Sequence, residues 1–288
     1  MSVAPDGLAL LASGLWGTSD FLGGSLSRRL RTLHVLFGSQ AVATVLVVGA
    51  AAVVGVGEVT GSWPAWSITA GICWGVGMAA LYTALALGTM GVVAPIASAG
   101  AVVPVAVGVL QGERPGAAAV AGVAAALLGV ALAAGPDARG ARAQRTVVWL
   151  AALTALLFGV EICCLAEGSR ASVPLTLIGM RLSALACTAI ALVPLRRPGR
   201  HRARPRLPGG RDVGALLMLG VLDSGAAAAY AFAARGGLVS LVAVLASLYP
   251  AVTVLLARRV HAERLTRVQW AGVGAVLLGA AFIGCSGA

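Results

Sequence analysis

The sequence predicts an all-α integral membrane protein of ten transmembrane helices, arranged as two inverted five-helix repeats. Three observations lead there: an apolar composition, ten apolar segments of spanning length, and a duplicated pattern at mid-chain. The 288 residues are 59% hydrophobic and 11% charged, with a mean hydropathy of +0.94. A soluble globular chain carries roughly 25% charged residues. This chain has too few polar side chains to cover a water-facing surface, whereas an apolar exterior is the stable one in lipid.

Segments of about 20 apolar residues, punctuated by Gly, Pro and Arg, can be read along the chain. They fall at 7–26, 33–57, 64–88, 91–111 and 115–135, then at 146–166, 173–195, 212–234, 237–257 and 267–286. The first is a span and not a cleavable leader: Asp6 precedes it, no basic residue does, and it runs on through Trp16 and Asp20. Two connections are longer and polar, 136–145 and 196–211. The first divides the chain into a first repeat (1–135), a linker (136–145) and a second repeat (146–288).

Shifting the chain by 150 positions lays Glu113-Arg114 on Glu263-Arg264 and residues 121–131 on 271–281, with eight of those eleven positions identical. Weaker echoes join Trp16-Gly17 to Phe158-Gly159, Gly38-Ser39-Gln40 to Gly179-Met180-Arg181, and Tyr82 and Gly88 to Tyr230 and Gly236. Five helices per half is an odd number, so the second half enters the membrane from the opposite side. Such inverted repeats place a substrate site near the midplane between the halves, and rocking one half against the other alternates access to it.

The net charge of +11 comes from 21 arginines and no lysine. The arginines sit in short runs between apolar blocks with no interleaved aromatics, which excludes a nucleic-acid partner and makes them topology signals. Odd-numbered loops hold 17 of them, counting Arg267 at the edge of the last span, and even-numbered loops three. That bias puts odd loops in the cytoplasm and both termini outside a cell inner (plasma) membrane. The five cysteines lie in apolar stretches at spacings that fit neither a zinc site nor a disulfide framework. No cofactor or metal is expected. The sequence contains no HExxH or GxSxG pattern, and His34, His201 and His261 fall at or in loops, so the chain does not read as an enzyme.

Four ionisable residues fall inside spans: Asp20, Glu161, Arg181 and Asp223. Each costs roughly 2.5–3.5 kcal/mol on insertion scales unless it finds a partner or a wet cavity. One cation cannot neutralise three acids, so at least one acid must hold a proton or face water. Burial favours the neutral carboxyl group, which makes Asp20, Asp223 and Glu161 the candidates for proton coupling. Two roles are open to Arg181: its planar fork can take a substrate carboxylate or phosphate, or it can lock onto Glu161 or Asp223. Gln40 occupies the place matching Arg181 and is expected to line the same cavity. Trp16, Trp74, Tyr82 and Tyr230 are candidates for its aromatic wall. Ser98 and Ser247 flank expected proline kinks at Pro95, Pro104 and Pro250 and offer hydroxyls. Trp63, Trp66, Trp149 and Trp270 sit near span ends as interfacial anchors.

Ten helices in a five-plus-five duplication, with the segments 102–115 (VVPVAVGVLQGERP) and 247–265 (SLYPAVTVLLARRVHAERL) ending each fourth helix, resemble the EamA-type family of the drug/metabolite transporter superfamily. The Leu-Leu-Gly helices that follow, and residues 16–21 (WGTSDF), fit as well. One departure is that Gly100, and not a proline, matches Pro250. The resemblance implies a transporter of metabolites, amino acids or drugs, often an exporter. The reading is a secondary active transporter of small polar metabolites such as amino acids or organic anions, with proton coupling as an option. The alternatives are a multidrug exporter of hydrophobic cations, and a passive channel or lipid-handling protein. The expected partners are a small-molecule substrate and the lipid bilayer, and a homodimer is open to it.

Overall fold

The computed structural model describes residues 5–57, 59, 61–110, 116–133, 141–193, 209–236, 246, 248–262 and 265–286. All regular structure among them is helical. The helices are α1 (Pro5–Ser27), α2 (Thr32–Val54), α3 (Pro64–Leu87), α4 (Met90–Ser98), α5 (Val102–Leu110), α6 (Ala117–Ala133), α7 (Ala141–Ala171), α8 (Val173–Leu192), α9 (Gly210–Gly236), α10 (Tyr249–Val260) and α11 (Arg267–Ser286). In lipid a chain must satisfy its backbone polar groups internally, and helices do so. Among the described residues five stretches are long and apolar enough to cross a membrane: Thr32–Val54, Pro64–Leu87, Arg145–Ala171, Val173–Leu192 and Gly210–Tyr230. The chain is a multi-pass membrane protein.

The fourth apolar segment is not one helix. A 3-10 turn, Ala99–Ala101, separates α4 from α5, and Pro95 lies inside α4, where it lacks the N–H of a regular turn. Pro104 lies in the first turn of α5. Pro250 stands in the first turn of α10, where the missing N–H costs nothing, so it introduces that helix and does not kink it. α7 starts at Ala141 and runs 31 residues, taking in residues expected to belong to the linker. Residues 237–245, which open the ninth apolar segment, lie outside the described residues, as do Glu113, Arg114, Glu263 and Arg264.

Contacts between helices fall into matched pairs when α1, α2, α3 and α4 are exchanged with α7, α8, α9 and α10. α3 packs on α7 as α9 packs on α1; α3 packs on α8 as α9 packs on α2; α4 meets α7 as α10 meets α1. α2 with α8, and α6 with α11, map onto themselves. The match extends to individual glycines, because small residues let membrane helices approach closely. Gly71 on α3 faces Met180 and Ser183 of α8, while Gly220 on α9 faces Ser39 and Val42 of α2. Gly77 faces Leu157 and Phe158 of α7, while Gly225 faces Leu15 of α1. Gly17 of α1 sits against Tyr249 and Val252, and Gly159 of α7 sits against Gly100 and Val103. At the first of these crossings Thr253 Oγ1 also donates to the Gly17 carbonyl at 3.0 Å.

The contact of α1 with α3 is among those without a counterpart. α1 packs on α3 near their C-terminal ends, and no comparable contact joins α7 to α9 among the described residues.

Candidate functional site

Arg181 lies at the middle of α8 and is 1% exposed. Its Nη1 donates to Asp223 Oδ2 at 2.6 Å and to Gln40 Oε1 at 3.3 Å. Its guanidinium lies 5.1 Å from the centroid of the Trp74 ring, near enough for a cation–π attraction. Its Nε is buried without a hydrogen-bond partner among the described residues. The internal lock expected as one of two roles for Arg181 is therefore formed with Asp223, which is itself 5% exposed.

The local sequence explains why these four groups meet. Gly71 and Trp74 are three residues apart on α3, and Gly220 and Asp223 are three apart on α9, so each glycine shares a face with its functional neighbour. Gly71 brings α3 against the α8 backbone at Met180, one residue before Arg181. Gly220 brings α9 against the α2 backbone at Ser39, one residue before Gln40. The two glycine notches deliver Trp74 and Asp223 to the same guanidinium. Gln40 and Arg181, already matched in the sequence, meet each other directly.

The remaining acids surround this centre. Asp20 is buried and within electrostatic reach of Asp223. Glu161, also buried, is within reach of both Arg181 and Asp223. Among the described residues no ion pair engages Asp20 or Glu161, whereas Asp223 has Arg181. Tyr82 is fully buried near Asp20, Asp223 and Arg181. Trp16 and Tyr230 stack on each other with ring centroids 5.6 Å apart, and Tyr230 lies within reach of Glu161.

Eight sequence candidates thus gather on one assembly: Arg181, Gln40, Asp223, Trp74, Asp20, Glu161, Tyr82 and Tyr230, with Trp16 beside the last. Ser98 does not join them through any described contact, and its hydroxyl donates to the Pro95 carbonyl at 2.8 Å. Ser247 lies outside the described residues. Tyr249 escaped the sequence reading and belongs here, within electrostatic reach of Asp20 and Glu161. Its signal was the Tyr-Pro pair that opens α10, read then for its proline alone. Among the described residues no cluster of His, Cys, Asp and Glu could hold a metal ion, and Cys73, Cys163, Cys164 and Cys187 are free thiols.

Residues 145–285 match the model of the EamA-like transporter family. Over these residues, just under half of its length, the chain is similar to the EamA-like family. The match begins within α7 and runs through α11, the second of the two halves inferred from the internal duplication. No curated protein matches the chain. A solved chain described as "Crystal structure of protein" superposes with a TM-score of 0.66, covering 96% of this EamA-like chain and 94% of its own. At 19% identity that likeness is one of fold. The match supports a membrane transporter of the drug/metabolite transporter superfamily.

Proposed function

We propose that this EamA-like protein is a secondary active transporter, an exporter of small polar metabolites such as amino acids or organic anions. It works by alternating access around the Arg181 cluster, and Asp20, Asp223 and Glu161 carry protons in the cycle. Ten spans form two inverted repeats, residues 1–135 and 146–288, joined through 136–145. The observation that carries this reading is the composition of the buried centre: Arg181, paired with Asp223 of its own half, also holds Gln40 and Trp74 from the other. A buried pair of this kind is poor value as a stabilising device, because desolvation offsets its Coulomb attraction. Two further buried carboxyl groups without ion pairs among the described residues make better sense in a site that exchanges partners. The paired glycine contacts support the repeat arrangement, since each half grips the other through equivalent positions.

The test is thermal stability of the purified protein against a panel of amino acids, organic acids, phosphates, amines and drugs. A ligand at about 100 times its dissociation constant stabilises by roughly 2.7 kcal/mol. The expected result is an upward shift from an anionic or zwitterionic compound that is absent in Arg181→Gln, each protein being compared with its own ligand-free midpoint. Shifts from hydrophobic amines alone, unchanged in the variant, would replace this reading with that of a drug exporter.

The arginine bias orients the molecule, with odd loops in the cytoplasm and both termini outside. A C-terminal reporter that functions only outside the cytoplasm is expected to be active. Activity only from a cytoplasm-dependent reporter would reverse the assignment.

A further inference from the structure

One unmatched contact, that of α1 with α3, distinguishes the two ends of the molecule. At the end bearing loop 28–31, Gly23 receives the Tyr82 ring and Gly24 receives Leu85 and Met90. A Cβ at residue 23 would overlap that ring. Arg28 donates to the carbonyls of Leu85 and Gly88, each at 3.4 Å, and Ser25 Oγ meets His261 Nε2 at 2.8 Å. Leu26, Leu81, Leu85 and Met90 complete a continuous apolar core beneath the ionic centre. At the opposite end the corresponding cluster among the described residues holds Ala9 and Ala233, with Leu8 and Tyr230 packed against them.

Tyr82 and Tyr230 are matched positions, and they flank the ionic centre from opposite ends. Tyr82 stands eight residues beyond Trp74 on α3, and Tyr230 seven beyond Asp223 on α9, or about 10–12 Å each at 1.5 Å per residue. The two helices run antiparallel in the paired arrangement, so these steps lead away from the centre in opposite directions. The surroundings of the two rings differ. Tyr82 is seated on Gly23 of α1, whereas Tyr230 stacks on Trp16, and among the described residues α7 and α9 make no contact comparable to that of α1 with α3. With Trp16-Gly17 aligned on Phe158-Gly159, the residue of α7 that matches Gly23 is Leu165.

We infer that Tyr82 and Tyr230 are the two alternating seals of the transport pathway. In this conformer Tyr82 on Gly23 closes the arginine-rich end. In the opposite conformer Tyr82 leaves α1, and Tyr230 leaves Trp16 to close on α7 beside Leu165. The inference rests on the alternating-access reading above and adds to it the closing groups and the end that is shut. Leu165 is bulkier than Gly23, so the second seal is the looser one, and the resting protein is shut at the arginine-rich end.

Spin-label distances in lipid nanodiscs test this on the full chain with its native cysteines replaced by alanine. One label pair, at Arg29 and Leu87, reports the α1–α3 end; another, at Ala166 and Phe232, reports the α7–α9 end. Gly23→Val wedges the Tyr82 seal apart, and Tyr82→Ala removes it without adding bulk. Both variants are expected to shift the first distance longer and the second shorter. An unchanged α7–α9 distance, whether or not the α1–α3 distance grows, would overturn the proposal. Should Gly23→Val fail to fold, Tyr82→Ala decides alone. These outcomes are separate from the Arg181-dependent ligand shift, which can succeed when the seals fail.

Discussion

Arg181→Gln is expected to lower the stability of the protein by about 3–5 kcal/mol, the usual cost of leaving one member of a buried pair without its counter-charge. Asp223 is the residue exposed to that loss, because its carboxylate receives Arg181 Nη1 at 2.6 Å and is almost fully shielded from solvent. Gln40 and Trp74 lose their shared partner at the same time. The measurement is the thermal unfolding midpoint in detergent without ligand. A second protein makes the result specific: with Arg181→Met and Asp223→Leu together no charge is stranded, and such replacements are often neutral or stabilising by about 1–4 kcal/mol. The double variant should therefore regain the lost stability while failing in any ligand-induced shift. A double variant as unstable as the single one would show that the residues act independently and that the pair is not the unit.

Gly71→Val and Gly220→Val form the second expectation, and each should cost about 1–3 kcal/mol or more, as overpacking does. At Gly71 the new Cβ would strike the backbone carbonyl of Met180, and at Gly220 it would strike Val42 and the Ser39 carbonyl. A carbonyl held in a helix cannot step aside as the tip of a side chain can. Both substitutions also push Trp74 or Asp223 off the guanidinium one turn away, so each should lose the ligand shift as well. Gly14→Ala and Gly274→Ala are the comparison, because a Cβ there meets nothing within 4 Å. In those open positions alanine is expected to be neutral or to gain the roughly 0.5–1 kcal/mol by which glycine weakens a helix. Equal losses at Gly71 and Gly220 would mark the two crossings as energetically equivalent. A loss at one only would break the pairing of the halves.

Much of this was legible before any coordinates. The apolar segments needed only length and composition, and the four intramembrane charges announced themselves because lipid tolerates so few. The match of Gly38-Ser39-Gln40 with Gly179-Met180-Arg181, faint as a sequence signal, became a direct contact between Gln40 and Arg181. What stayed hidden depended on distance between helices. Gly71 read as one more small residue in a glycine-rich helix, and only the facing Met180 carbonyl shows that nothing larger fits. Arg181 had two acids within equal reach on paper, and the choice of Asp223 over Glu161 is made by the geometry of α9 against α2. Tyr249 was overlooked because a tyrosine beside a proline carries no periodic signal, and its role comes from α10 crossing α1 at Gly17. The break between α4 and α5 was missed for a related reason: a continuous apolar run does not reveal a turn whose carbonyl is served by a serine, as Pro95 is by Ser98.

The length of α7 has a mechanical consequence. Its 31 residues extend about 46 Å at 1.5 Å per residue, against a hydrocarbon layer of about 30 Å. The surplus at its start, up to the exposed Arg145, is a rod continuous with the helix that carries Glu161, Leu165 and the Gly159 crossing. A hinge at the membrane surface would absorb a push on that rod, but an unbroken helix transmits it as torque. Anything that grasps the protruding turns, whether a headgroup layer or another macromolecule, holds the handle of a lever whose short arm ends at the ionic centre.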